Sequence, residues 1–128
     1  MKKYSNSWKA STNRRKQRKF RLNAPLHIKR KFLNAGLSKD LKTKNKKNSI
    51  PLRKGDTVKI MRGQFKKQTG KIARVDLKSS CVYIEGIEMS KKDGTKVQRP
   101  IHASNVQIIS ASFEDQKRKK MLNRGKKQ

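Results

Sequence analysis

Between Thr57 and Ile109 the apolar side chains recur with period two in short runs. This pattern limits what the chain can fold into more than any other feature. A strand with alternate apolar residues buries one face and wets the other. Thr57-Val58-Lys59-Ile60-Met61 alternates in this way, Gly63 punctuates, and Gly70-Lys71-Ile72-Ala73-Arg74-Val75 alternates again. After the turn residues Lys78-Ser79-Ser80, Val82-Tyr83-Ile84 predicts a third strand. Lys92-Asp93-Gly94 signals a hairpin and puts Val97 on a return strand. Val106, Ile108 and Ile109 supply a last short strand. Short strands joined by tight turns predict a mainly β chain, built on a small antiparallel barrel over residues 50–110, because closure removes edges and lets a small core suffice. The expected core is Val58, Ile60, Ile72, Val75, Val82, Ile84, Ile87, Ile101, Val106 and Ile108.

The flanks are different in kind. Residues 1–53 carry 18 basic and 1 acidic side chain, residues 54–109 carry 12 and 5, and residues 110–128 carry 7 and 2, which together give the formal +29. So much like charge in one small particle is self-repulsive, so the chain is expected to fold completely only beside a polyanion. Residues 1–49 read as a basic arm with short helices. Within it, residues 1–22 lack a periodic apolar face and are expected to order on a partner. Trp8 stacks on a base or sugar, packs in a protein groove or stays partly exposed. Asn23 can cap a helix with Pro25 in its first turn and Gly36 as its stop; Ser38 can cap a second. Residues 111–128 predict a basic helix and tail, with Ser112 as cap and Asp115 in the first turn.

The stretch from Lys54 to Val75 carries the functional signal: strand, basic glycine-bearing loop, strand. Gly55 allows a tight turn into the first strand, and Gly63 and Gly70 allow positive φ or a close backbone approach. Arg62, Lys66, Lys67 and Lys71 line the loop, and Phe65 either packs on the barrel rim or touches a sugar or base. This stretch resembles a KOW motif, the RNA-contacting element of a small SH3-like barrel. The flanks Asn23-Ala24-Pro25-Leu26-His27, Leu37-Ser38-Lys39-Asp40-Leu41, Ile50-Pro51-Leu52-Arg53-Lys54-Gly55-Asp56, Asp93-Gly94-Thr95 and Pro100-Ile101-His102-Ala103-Ser104-Asn105-Val106 are similar to one family. That family is the universal KOW-containing protein of the large ribosomal subunit, in its archaeal and eukaryotic branch, and the resemblance runs from residue 14 to about 122.

The resemblance implies a cytoplasmic structural constituent of the large ribosomal subunit. It would bind the 5′ domain of large-subunit ribosomal RNA, help initiate assembly and lie near the peptide tunnel exit. Its partners would be that RNA, neighbouring ribosomal proteins and nascent-chain factors at the exit. The expected RNA contacts are Arg14, Arg15, Arg18, Lys19, Arg21, His27, Arg30, Lys59, Arg62, Gly63, Lys66, Lys67, Lys71, Arg74, Arg99 and His102. Lys67 departs from the family, whose members usually have glycine there; a left-handed backbone would give it roughly 1 kcal/mol of strain. The rival reading is a KOW-type transcription elongation or antitermination factor, but such factors normally carry a second, polymerase-contacting domain for which residues 1–49 are too basic and too poor in apolar residues.

Other chemistries fit poorly. Six residues separate Gly63 from Gly70, and Ile72 follows Lys71, so the phosphate-binding loop of nucleotide hydrolases is not present. His27 and His102 have no carboxylate neighbour in sequence, and Cys81 beside Val82 reads as a small packing residue. Asp56, Asp76, Glu85, Glu88 and Asp93 read as turn formers and local charge balance. One cysteine makes neither a disulfide nor a zinc site. The expectation is therefore no enzyme, no metal or other cofactor and no small-molecule substrate. The short apolar runs predict no membrane span and no secretory leader; residues 1–22 also have the composition of a transit peptide.

Overall fold

A computed structural model describes residues 4–124. The start of the basic arm and the end of the C-terminal tail lie outside the described residues. The chain begins with a 3-10 turn, Asn6–Ala10, and a helix α1, Arg14–Asn23. These elements lie in the arm that is expected to order on a partner, and their local contacts are as follows. Asn13 Oδ1 accepts the Arg15 N–H at 2.9 Å, satisfying an orphan donor of the first turn. Phe20 anchors the helix, stacked 5.5 Å from Tyr4 and edge-on 5.9 Å from Phe32. One aromatic cluster thus does what a periodic face would do, and Phe20 ends 6% exposed.

Helix α2, Leu26–Phe32, follows with Pro25 as its capping residue; Asn23 closes α1 and does not cap α2. Strand β1, Asn34–Leu37, comes next, so Gly36 lies in a strand and stops no helix. Helix α3, Lys39–Asn45, is capped as expected by Ser38, whose Oγ accepts the Leu41 N–H. Then come β2 Ser49–Pro51, β3 Thr57–Ile60, β4 Thr69–Asp76, β5 Cys81–Ile84, β6 Glu88–Ser90, β7 Lys96–Gln98, β8 Ile101–His102, a 3-10 turn Ala103–Asn105, β9 Val106–Ser110 and α4 Gln116–Asn123. The Asp93-Gly94 hairpin forms as expected between β6 and β7, with Gly94 at φ +83°.

Seven strands form one sheet in the order β2-β1-β9-β3-β4-β5-β8, and β6-β7 stand apart. Two expectations are corrected here. Helix and strand occur in comparable amounts, so the chain is not mainly β. The sheet is mixed and open: β1 runs parallel to β9, and β2 and β8 end it unpaired among the described residues. It is nevertheless strongly curled. Laid flat, β9 and β8 would lie about 19 Å apart at about 4.8 Å per strand spacing. The 3-10 turn that joins them advances only about 6 Å.

A bulge in β4 explains one oddity of the sequence. Ile72 and Val75 are both expected in the core, yet three residues apart on a regular strand face opposite ways. Ile72 pairs with Ile84 and Arg74 with Tyr83, so Ala73 is an extra residue that switches the alternation. Val75 thereby packs against the core, although only half-buried, and Arg74 takes the outer face. Every other expected core residue is buried. Leu33, Ala35, Leu37, Ile50 and Leu52 join them from the segment before β3.

Asp56 and Arg118, each 2% exposed, form a buried ion pair. Arg118 Nη1 and Nη2 donate to the two carboxylate oxygens at 2.8 Å each, and Nη1 also donates to Ser112 O at 3.0 Å. The Arg53 N–H donates to Asp56 Oδ2 at 2.9 Å. Asp56 is thus more than a turn residue, since it fastens α4 to the start of β3. Asp115, and not Ser112, caps α4 by accepting the Lys117 N–H at 2.9 Å, and it pairs with Arg53.

Three outcomes follow. Arg118→Ala leaves a buried carboxylate unpaired and is expected to cost about 3–5 kcal/mol by denaturant unfolding; an unchanged midpoint would show the pair to be dispensable. Lys67 stands at φ +75°. Lys67→Gly relieves about 1 kcal/mol of strain, partly offset by glycine's chain entropy, so a small upward shift of the midpoint is expected. The Arg53 guanidinium, then the Lys117 N–H, hold the Asp115 carboxyl below its ordinary value. A lowered folded-state pKa contributes stability above the unfolded value, and this is lost as the pH falls through the folded value. The stability gap between the native chain and Asp115→Ala is therefore expected at pH 6 and should close below about pH 4.

Candidate nucleic-acid interface

Six of the ten residues of α1 are cationic and none is acidic. All six are exposed, because the helix buries only Phe20. Arg15, Arg18, Lys19 and Arg21 form one side of a cleft whose other side is the β4–β5 turn at Lys78-Ser79-Ser80 together with His102 and Ser104. Leu22, 71% exposed, and Phe32 give this cleft an apolar patch. His102 Nδ1 accepts the Ser104 N–H at 3.3 Å and lies 2.9 Å from the Ser104 hydroxyl. The turn is rigidified by Asp76, which accepts the Lys78 N–H and the Ser79 hydroxyl. These donors, the Ser79 hydroxyl foremost, hold the Asp76 carboxyl below its ordinary value.

The loop between β3 and β4 presents Arg62, Gly63, Lys66 and Lys67, all exposed, with Lys59 and Lys71 on the two strands. Gly63 has φ +91°. Gly70 is required for a different reason: a Cβ there would lie 2.6 Å from Ile84 Cγ2 and 2.8 Å from Glu85 O. The Lys67 N–H donates to Ile60 O at 2.8 Å, and Phe65 packs against the core. Of the two roles open to Phe65, the structure shows packing. The Met61 N–H donates to Asn105 O at 2.8 Å, so the loop leaves the sheet beside the same 3-10 turn that follows His102.

Arg30, Arg53, Lys54 and Arg74 line a second cleft. Arg99 lies away from these groups, its guanidinium against Met89 on the β6–β7 hairpin. His27 is exposed on α2 and lines none of the clefts described. Lys78, Arg53 and Lys54 are not among the residues that the sequence marks for an interface. Lys54 opens the KOW-like stretch and Lys78 sits in a polar turn, so position alone was their only signal. Among the described residues there are two ion pairs, Arg53–Asp115 and Arg118–Asp56. Nearly every cation is thus without a carboxylate, and the arrangement can neutralise a line of phosphates.

A family model described as the ribosomal proteins L26 of eukaryotes and their archaeal counterparts matches residues 11–125. The large ribosomal subunit protein uL24 of Methanothrix thermoacetophila is 46% identical over 110 residues, which cover 86% of this chain and 95% of that one. Both comparisons span most of the chain, and the chain belongs to the family of ribosomal proteins L26 of eukaryotes and their archaeal counterparts.

Proposed function

We propose that this chain is a structural, non-catalytic constituent of the large ribosomal subunit in the cytoplasm, which binds large-subunit ribosomal RNA through the exposed cations of α1, the β3–β4 loop and the outer face of β4. The carrying observation is the near absence of carboxylate partners for those cations, which turns a fold of +29 into one completed by a polyanion. Contacts to phosphates position the chain, and RNA shape and unstacked bases would supply recognition.

The finer reading rests on the family. Residues 50–110 serve as a KOW-type SH3-like platform to whose sheet the arm adds β1, with residues 1–49 as an RNA-gripping arm and 111–128 as a basic helix and tail. The RNA is the 5′ domain, binding comes early in assembly, and the address is near the tunnel exit beside other ribosomal proteins. Arg14, Arg15, Arg18, Lys19, Arg21, His27, Arg30, Lys59, Arg62, Gly63, Lys66, Lys67, Lys71, Arg74, Arg99 and His102 are the contacts of this reading.

Tagged protein run through a sucrose gradient of cell lysate is expected to remain with large subunits after a high-salt wash; migration to the top of the gradient, or with polymerase, would overturn the reading. With purified RNA, Arg62→Ala or Lys66→Ala is expected to flatten the dependence of log K on log salt by about 1 for each phosphate no longer neutralised. An unchanged slope would remove that residue from the interface.

A further inference from the structure

The bulge at Ala73 places Arg74 beside Tyr83 on the outer face, with the guanidinium carbon 4.4 Å from the ring centroid. The guanidinium carbon lies over the ring, and the Arg74 side chain is exposed. That group borders a cleft of about 840 Å³, within the range of small-ligand sites. Its apolar wall includes Val75 and Leu77, and Leu77 is 36% exposed although large and apolar. Its rim carries Arg30 and Lys54, neither of which has a carboxylate partner among the described residues. Arg53, also on the rim, is occupied by Asp115.

We propose that this cleft holds one unpaired nucleotide of the bound RNA, an inference that rests on the RNA-binding reading above. The base stacks on the Arg74 guanidinium and lies against Val75 and Leu77, and the adjoining phosphates meet Arg30 and Lys54. An apolar wall offers nothing to a duplex, whose bases are turned inward, whereas a splayed base has a face to bury and edges to spare. The one-sided charge of the rim matches a phosphodiester and gives an ordinary protein surface no counterpart. Tyr83 supplies the preorganisation: a guanidinium already held over a ring loses less freedom when a base stacks on it.

The test compares the full chain's affinity for a short single-stranded RNA and for a duplex of the same length, with Arg74→Lys and Leu77→Ser. Arg74→Lys keeps the charge and removes the planar surface. It is expected to weaken single-strand binding about tenfold, well beyond any loss of duplex binding, and to keep the salt dependence of both. Leu77→Ser, at an exposed position that folding tolerates, is expected to act in the same direction without altering charge. Equal losses for single strand and duplex, or no loss for either, would overturn the nucleotide cleft while RNA binding stands. If the native chain bound neither RNA in a salt-dependent way, the proposed function would fall and the cleft with it.

Discussion

The Asp56–Arg118 pair joins parts of the chain that nothing else joins so firmly. A chain of eight acids places one of them 2% exposed in its interior and answers it with a guanidinium 62 residues away. Both groups lose their water, so the pair is not a simple gain in stability. Its weight lies in the cost of breaking it. Four groups converge there: the Arg53 N–H, the carbonyls of Pro51 and Ser112, and the Asp56 carboxylate. The turn into β3, the end of β2 and the approach to α4 are therefore fixed with respect to each other. Leu122 packs into the same core from α4, which adds apolar contact to a helix whose composition alone gives little reason for it to dock.

That arrangement governs how the rest of the charge is used. With two ion pairs among the described residues, self-repulsion has to be borne by the apolar core until a polyanion arrives. The core answers by drawing in residues from the basic N-terminal half. Leu33, Ala35, Leu37, Ile50 and Leu52 enter it, and β1 lies parallel to β9. Basic segments on both sides of the strands are thereby tied to one sheet, which brings α1 within a cleft's width of His102 and Arg30 within a cleft's width of Arg74.

What could be read in advance followed local periodicity. Val58, Ile60, Val82 and Ile84 announced their strands, Ser38 its helix and Asp93-Gly94 its hairpin, since each signal lies within a few residues. What could not be read depended on partners distant in sequence. Asn34–Leu37 looks like a helix end because Gly36 ends helices more often than it pairs in strands, and only the backbone of β2 and β9 makes it a strand. Phe20 looks isolated until Tyr4 and Phe32 are folded against it. Asp56 reads as a turn residue until Arg118 arrives. At the interface, residue type told which side chains could meet phosphate. It did not tell that α1, the β4–β5 turn and His102 would share one cleft, because tertiary packing alone sets that neighbourhood.

The bulge in β4 shows how core and surface are set by one backbone feature. Without the extra residue, Arg74 would point where Ile72 points, toward a core whose one buried acid, Asp56, is already held by Arg118, and Val75 would face solvent. With it, Val75 packs inward, and the outward cation lands on the tyrosine that lies between two fully buried core positions, Val82 and Ile84. Gly70 makes the same strand tight at its other end, where no Cβ fits against Ile84 and Glu85. A strand pinned at one end by close approach and re-aimed in the middle by a bulge has little freedom left. The guanidinium it carries is accordingly held on a rigid element, the condition under which a single planar side chain can select an unpaired base over a duplex.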